Sequence, residues 1–411
     1  MGIYRIRAKG SGIATQRFYL NLLGRNVERG LIQRPDVSRV RVEPTVAEFQ
    51  AYKKEIEKLT IERHKTCVDA DILSEAASIL SEKVQNYGTA DYTWAIRPGS
   101  DDPLHTGHGS AGLATILFLN LLGIPINGVV FATGGRNPEK LEMSSFSHRS
   151  AMAKMLLQDF QPWITPTNIR NLAAEILGKT SIIVGNKKVR IMGKKIVAQR
   201  TFCDTAAFDW IFAMNPHMQW HYQIGSDKFE NYYKVPEEKY LVYDTLRRLE
   251  KAQKIVYFLR DPGDLVWIKE GHWLSDLCKE GYVIQSRVES YSVSGTLLRS
   301  KLRKVFDRGR AKPWLNLSWL LENGIPPISQ SVLAFTGLGR AISYLRKQLH
   351  PAQILHILNE GLIDLYTLND RVKNKEISRN DAEYKALVET FKEKGIIDSK
   401  TEEENDVEQS D

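Results

Sequence analysis

Apolar positions three and four residues apart dominate the chain from Thr45 to Val84. This spacing puts the apolar side chains on one face of a helix, so it predicts two helices in this stretch. The second, in DADILSEAASILSEKV, begins with an aspartate of the kind that caps helix N-termini. We therefore expect residues 1–88 to form a helical N-terminal extension.

From Tyr92 onward, short apolar strands alternate with amphipathic helices. The predicted elements are a strand TWAI, a helix through Leu119, a strand at Val129–Thr133, a helix at about Ser147–Leu157, a helix near Asp204–Met214, a strand WHYQIG, a helix at Pro236–Ala252, and strands KIVYFLR and YVIQS. Five or six strands separated by helices indicate the α/β class, with a Rossmann-like doubly wound parallel sheet over residues 89–312.

Residues 180–198 interrupt this alternation with apolar and basic residues around a Gly-Asn turn, which predicts an inserted hairpin. The hairpin is either a flap over the site or a solvated or oligomer-edge element without a catalytic role. Beyond Pro313 the spacing becomes helical again, so we expect a C-terminal helical region over residues 313–397. Residues 398–411 are acidic and poor in apolar side chains, which predicts a disordered tail.

The composition is that of a globular protein: 42% of the 411 residues are hydrophobic and 26% are charged. This length predicts two or three structural units. No apolar run reaches the roughly 18 to 20 residues that a membrane-spanning helix needs, so we expect no membrane partner. The net charge of +8 suits a protein that handles polyanions, either nucleotides or nucleic acid.

The three cysteines are widely separated and form no CxxC pair, which argues against a disulfide framework or a cysteine-based zinc site. We therefore expect a cytoplasmic protein. The N-terminus, Met1 to Val27, is basic and lacks acidic residues, so an organellar transit peptide remains the alternative. The sequence leaves the oligomeric state open, and a homo-oligomer is possible.

The segment GSDDPLHTGHGSAG, Gly99 to Gly112, carries the strongest chemical signal in the chain. It lies directly after a predicted strand and before an apolar helix. Gly99 at the strand end allows close approach of a substrate, and the free amides at a helix N-terminus, here after Gly107, attract an anion. His105 and His108 are three residues apart and can direct ring N–H donors at one phosphate.

This segment resembles the GxFDPxHxGH motif of nucleotidylyltransferases, and the core as a whole resembles the nicotinamide and nicotinic acid mononucleotide adenylyltransferases. The resemblance covers roughly Asp91 to Lys312. Five further segments follow in the family's order: NPEK with HRSAM, CDTAAFDWI, IGSDKF, KIVYFLRDPGD, and VSGTLLR at Val293–Arg299. The chain departs from the motif at Asp101, where the family has Phe, and at Gly295, where it commonly has a second Ser.

The resemblance implies transfer of a nucleotidyl group from ATP to a pyridine mononucleotide, with Mg²⁺ bridging phosphate oxygens. It implies catalytic roles for His105, His108 and Arg299. The nucleotide and phosphate contacts that it implies are Gly99, Ser100, Asp102, Gly107, Gly225, Asp227, Ser294 and Thr296. On the acceptor side it implies Lys140, Arg149 and Thr205, with Lys140 and Arg149 either facing the acceptor or holding its loop.

Several alternatives stay open at this point. The acceptor could be a phosphopantetheine or a phosphorylated alcohol, with CTP as the donor, or the protein could be a non-catalytic nucleotide- or nucleic-acid-binding relative. Asp101 either weakens acceptor binding or helps to hold a metal ion. Asp204 and Thr205 taken singly are expected to cap the following helix. His217 and His221 are four apart, but Pro216 breaks the helix that such a metal pair requires.

Overall fold

The structure is a computed structural model of the chain. It describes residues 12–82, 93–135, 140–177, 181–191, 196–216, 218–225, 252–258, 275, 279–286, 293, 295–306 and 338–399. The predicted helix at Pro236–Ala252 lies outside the described residues, apart from Ala252, which begins a strand. Within the described residues, no helix combines the length and the apolar character needed to cross a membrane.

The N-terminal region folds into three helices: α1 (Gly12–Glu28), α2 (Val46–Glu62) and α3 (Ala70–Ser81). A capping box starts α2, because Thr45 Oγ1 accepts from the Glu48 amide while Glu48 Oε2 accepts from the Thr45 amide. The Asp69 carboxylate caps α3 by accepting from the amide of Ile72. The two helices predicted between residues 45 and 84 are thus confirmed.

A parallel sheet forms the centre of the protein. The strands are β2 (Thr93–Gly99), β3 (Gly128–Thr133), β4 (Ile164–Thr167), β7 (Gln219–Gly225), β8 (Ala252–Phe258) and β9 (Val283–Gln285). Their order is β4-β3-β2-β7-β8-β9, and every neighbouring pair is parallel. This is the doubly wound Rossmann-type order, so the predicted fold class is confirmed.

Helices cover both faces of this sheet, which explains why its central strands β2 and β3 are mostly apolar. Helices α1, α4 (Thr106–Leu121) and α5 (Phe146–Leu157) pack on the face that carries Ala95 and Phe131. Helices α2, α3, α6 (Ile169–Leu177) and α7 (Ile196–Ala213) pack on the face that carries Trp94 and Trp220. The N-terminal helices therefore contribute to the same core as the sheet.

The inserted hairpin forms a second, smaller sheet. Strands β5 (Ser181–Val184) and β6 (Lys187–Ile191) are antiparallel, as predicted. Strand β1 (Cys67–Val68) pairs in parallel with β6 and gives the order β1-β6-β5. The predicted extension of the hairpin to residue 198 is wrong, because Ile196 already begins α7.

The C-terminal helices are α8 (Gly295–Phe306), α9 (Leu338–Gln348), α10 (Pro351–Asn359), α11 (Leu362–Lys373) and α12 (Ala382–Glu393). They share one apolar core, which also includes Met152 of α5. Asp398, which the sequence placed in the acidic tail, instead accepts hydrogen bonds from the amide of Phe146 at the start of α5. A carboxylate at the N-terminus of a helix stabilises the helix through its dipole. The predicted tail beyond Ser399 lies outside the described residues.

Candidate active site at the switch point of the sheet

The motif loop, which we define as residues 99–105, follows β2 at the carboxyl edge of the sheet. From β2 the chain runs outward through β3 and β4, and it then returns to the other side of β2 with β7. Doubly wound sheets bind ligands in the crevice beside such a reversal. Gly99 and Gly225 end β2 and β7 at this edge, so the strand ends predicted for nucleotide binding are neighbours.

His105 and His108 lie side by side where α4 begins. His105 is the N-cap residue and is 1% exposed, and the two imidazole rings stack with their centroids 3.8 Å apart. Gly107 belongs to the first turn of α4, where backbone amides have no partner within the helix. The arrangement therefore suits an anion.

Arg299 meets the motif loop from the other end of the core. Its Nη1 donates to the carbonyl oxygen of Asp102 at 2.5 Å, and its Nη2 lies 3.4 Å from Thr296 Oγ1. Gly295 brings the start of α8 close, because a Cβ built on it would lie 3.7 Å from the same carbonyl oxygen. Arg299 thus contacts the motif loop three residues before His105. Ser294 lies outside the described residues.

The guanidinium of Arg299 also has a buried N–H donor that makes no hydrogen bond within the described part of the protein. This donor is the Nε–H group. A buried N–H without a partner is costly, and a bound oxyanion would satisfy it. Thr296 is exposed in the first turn of α8 beside this guanidinium.

Asp102 is held by protein donors on both carboxylate oxygens. Oδ1 accepts from Ser144 Oγ at 2.5 Å and from Tyr366 at 3.2 Å, and Oδ2 accepts from the Ser144 amide at 3.0 Å. Asp102 thus anchors the motif loop to the segment before α5 and to α11, and the nucleotide contact predicted for it stays a prediction. Its carbonyl oxygen is the part that reaches Arg299.

Asp101, which stands where the family motif has Phe, has its buried charge neutralised by a neighbouring arginine. Asp101 has φ of 57°, and its side chain accepts from Arg97 Nη1 at 2.6 Å and from Thr133 Oγ1 at 3.1 Å. Aspartate tolerates this left-handed backbone better than most residues. Because the carboxylate is buried against Arg97, it is not placed to hold a metal ion or to face the phosphates.

Arg149 connects the motif loop to the loop after β3 and to the segment before α5. Its guanidinium is fully buried and donates to the carbonyl oxygens of Ser144, Ser100, Gly134 and Gly135. Burial lowers the pKa of this arginine, but nearby carboxylates such as Asp102 oppose the shift. The predicted direct contact with the acceptor is therefore replaced by the other role considered for Arg149, which is to hold the loop.

Lys140 lies at the exposed rim of the same loops. Its Nζ is 3.4 Å from Ser100 Oγ, which places a cation next to the motif loop. Unlike the buried Arg149, this side chain is exposed to solvent. Of the three residues predicted on the acceptor side, Lys140 is exposed and Arg149 is buried, and the side chain of Thr205 lies outside the described residues.

Arg170 is a further buried arginine of the site, and the sequence did not identify it. Arg170 donates to the carbonyl oxygens of Gly99 at 3.0 Å and Ala132 at 2.9 Å, and it pairs with both oxygens of Asp204. Although burial lowers the pKa of Arg170, the charge of Asp204 raises it above the ordinary value overall. The segment around Arg170 carries no motif, so only the fold reveals that it supports the end of β2.

The expectation that Asp204 and Thr205 cap a helix is wrong. Helix α7 begins at Ile196, so both residues lie within it, and Asp204 serves Arg170 instead. The Thr205 side chain lies outside the described part of the structure, as does all of Asp227. His217 is likewise outside the described residues, and His221 is buried within β7.

The groups around the motif loop are mostly N–H donors, which suit phosphate oxygens better than a metal ion. Within the described residues, no group of three or more His, Cys, Asp or Glu is arranged to hold a metal. The described site thus offers positive potential and hydrogen-bond donors for an anionic ligand.

The chain was compared with protein-family models, curated proteins and solved structures, and only solved structures match it. No protein-family model matches the sequence, and the curated proteins give no match. Two solved structures that match are of Plasmodium falciparum nicotinic acid mononucleotide adenylyltransferase, complexed with APC and with NaAD. Both are 13% identical and cover 67% of this chain and 98% of theirs, with TM-scores of 0.37 and 0.36.

Proposed function

We propose that this protein is an adenylyltransferase that joins AMP from ATP to nicotinamide or nicotinic acid mononucleotide and releases pyrophosphate. The observation that carries the proposal is the meeting of two distant motif segments: Arg299 donates to the carbonyl oxygen of Asp102 in the motif loop, three positions before His105. Both segments are the ones that resemble the nucleotidylyltransferase motifs. Their convergence at the switch point of the sheet supports a shared triphosphate site.

The reaction needs no nucleophile from the protein. A phosphate oxygen of the acceptor attacks the α-phosphorus of ATP in line, the new P–O bond forms, and the bond to the bridging oxygen breaks with loss of pyrophosphate. Catalysis then rests on position and on donors aimed at the developing charge. We assign these donors to His105, His108, the amide of Gly107 and Arg299.

The remaining contacts are those that the motif resemblance implies. We assign Gly99 and Ser100, which end β2 and begin the motif loop, to the triphosphate, together with Thr296 in the first turn of α8 and with Ser294. Gly225 and Asp227 are proposed for the adenosine ribose, and Lys140 and Thr205 for the acceptor. Mg²⁺ is proposed to arrive on the triphosphate and to offset its charge through phosphate oxygens.

The test is pyrophosphate release from purified protein and Mg²⁺, with nucleoside triphosphates crossed against phosphorylated acceptors. We expect turnover with ATP and at least one of the two pyridine mononucleotides. His108→Ala should abolish it, whereas His64→Asn, which removes an exposed histidine from the turn after α2, should not. Turnover only with CTP or with a phosphopantetheine acceptor would contradict the assigned substrates. Release of no pyrophosphate from any pair would contradict nucleotidyl transfer.

A further inference from the structure

Tyr366 reaches the motif loop from the C-terminal helices. It lies on α11, its side chain is fully buried, and its hydroxyl donates to Asp102 Oδ1 at 3.2 Å. The face of the same ring lies toward Arg299, with the guanidinium carbon 5.9 Å from the ring centroid. At this distance a cation and an aromatic ring attract each other.

Tyr366, Asp102 and Arg299 therefore form a closed set of three contacts. Tyr366 holds the Asp102 side chain, Asp102 offers its carbonyl oxygen to Arg299, and Arg299 faces the Tyr366 ring. The three residues come from the motif loop, from α8 and from α11, which are far apart in the sequence. None of the three can move without loosening its contacts with the other two.

Helix α11 is itself fixed to both neighbours of the site. Asp370, one turn after Tyr366, forms an ion pair with Arg303 of α8. Asn369 donates from Nδ2 to the carbonyl oxygen of Glu142, at 3.3 Å, in the segment before α5. The position of Tyr366 is thus tied to α8 and to the loop that carries Ser144.

The Tyr366 hydroxyl remains a donor over the usual pH range. Burial raises the pKa of Tyr366 well above its ordinary value, and the Asp102 carboxylate raises it further. A buried phenol that stays protonated can keep donating to a carboxylate. The contact is therefore a permanent part of the folded site.

We propose that Tyr366 is a positioning residue that sets the separation between the motif loop and Arg299. It acts through Asp102 and Arg299 and is not assigned any contact with substrate. The kinetic part of this inference rests on the proposed nucleotidyl transfer, because only then does the separation of the two donor groups govern the rate. Small displacements of such groups cost about ten- to a hundredfold in rate.

Tyr366→Phe is the informative variant because it keeps the buried ring beside Arg299 and removes only the hydroxyl. Asp102 then retains its two hydrogen bonds from Ser144. The matched control is Tyr384→Phe. Tyr384 of α12 is also buried and also donates to a carboxylate of the core, Glu142 Oε1, at 2.8 Å, and this carboxylate keeps its ion pair with Arg379 when the hydroxyl is removed.

Both variants are compared with wild type as full chains. We expect Tyr366→Phe to lower kcat by about tenfold with KM for ATP changed by less than about threefold, as for a loss felt in the transition state. Tyr384→Phe should leave both constants near wild type, even if its melting temperature falls as much. Equal kinetic constants for Tyr366→Phe and wild type would overturn the proposal.

A second readout separates this inference from the assigned activity. Amide hydrogen exchange in residues 99–108 reports the motif loop directly, whether or not pyrophosphate is released. We expect faster exchange there in Tyr366→Phe and unchanged exchange in Tyr384→Phe. If wild type shows no turnover but this difference is seen, the proposed function fails and the positioning role stands. If exchange is the same in both variants, the positioning role fails.

Discussion

Arg299 donates a hydrogen bond from Nη1 to the carbonyl oxygen of Asp102, 197 positions earlier in the chain. This contact places α8 against the motif loop, which ends at His105, the first of the two stacked histidines. The guanidinium has five N–H donors. One binds this carbonyl oxygen, Nη2 lies 3.4 Å from Thr296 Oγ1, and the buried Nε has no hydrogen-bond partner among the described residues, which leaves it available for a phosphate oxygen. The relationship between these two residues is the geometric basis of the proposed site.

Arg299→Lys should lower kcat by about a hundredfold or more. A lysine keeps the charge but loses the planar set of donors that can bind the Asp102 carbonyl and a phosphate together. Steady-state pyrophosphate release measures the effect. Arg39→Lys, on an exposed turn with a surface ion pair to Asp36, is the control and should retain wild-type kinetics. Equal activity in the two variants would rule out the role given to Arg299.

Asp101→Asn should destabilise the fold by about 3 kcal/mol, because it leaves the buried Arg97 without its countercharge. Asparagine fits the left-handed backbone at this position, so strain should not contribute. The free energy of unfolding in urea gives the value. In the double variant Arg97→Met with Asp101→Asn most of the loss should be recovered. A single variant within about 0.5 kcal/mol of wild type would contradict a buried ion pair.

Lys140→Ala should raise KM for the acceptor by about five- to tenfold, since a charge-assisted contact contributes roughly 1 to 1.5 kcal/mol. Stability should not change, because the side chain is exposed. Lys154→Ala, an exposed lysine on α5, is the control. An unchanged KM in Lys140→Ala would remove this residue from the acceptor site.

Arg149→Met, unlike Lys140→Ala, should reduce the free energy of unfolding. We expect a loss of about 3 kcal/mol or more, because four carbonyl oxygens lose a donor. The thermal unfolding midpoint tests this expectation. A variant with wild-type stability but a raised KM for the acceptor would instead support direct binding by Arg149.

His356 should make stability depend on pH near neutrality. Burial and the adjacent His148, 3.1 Å away, lower the pKa of His356, and Glu360 only partly opposes this. A histidine with a lowered folded pKa binds fewer protons when folded, so its contribution is full above the unfolded pKa and is lost as pH falls below it. We expect the melting temperature to fall between about pH 7.5 and pH 5.5, and to fall less in His356→Gln. Equal slopes would contradict the prediction.

The sequence was sufficient for the parts of the protein that local pattern determines. Apolar strands, the N-terminal helices and the hairpin turn all have short-range signals, and the structure contains them. Strand β4 and helix α6 were not predicted. The β4 sequence ITPT is short and half polar, and α6 has no distinctive capping residue. These elements depend on packing against β3 and the core rather than on their own propensity.

The residues that support the site could not be predicted from local sequence patterns, because their roles depend on tertiary contacts. Arg97, Arg170 and Tyr366 act through partners that are distant or on another element, and a single sequence does not specify such pairs. Asp102 and Arg149 illustrate the converse. Their place in a motif suggested ligand contact, whereas their hydrogen bonds in the fold are to the protein itself. A motif therefore locates the site more reliably than it divides ligand-binding residues from supporting ones.

The central claim is that the motif loop and Arg299 bind one triphosphate, and a crystal structure with Mg²⁺ and a non-hydrolysable ATP analogue tests it most directly. We predict phosphate oxygens about 3 Å from an imidazole nitrogen of His108, the Gly107 amide and a guanidinium nitrogen of Arg299. A triphosphate bound elsewhere, or bound at the histidines while Arg299 points away from it, would contradict the claim.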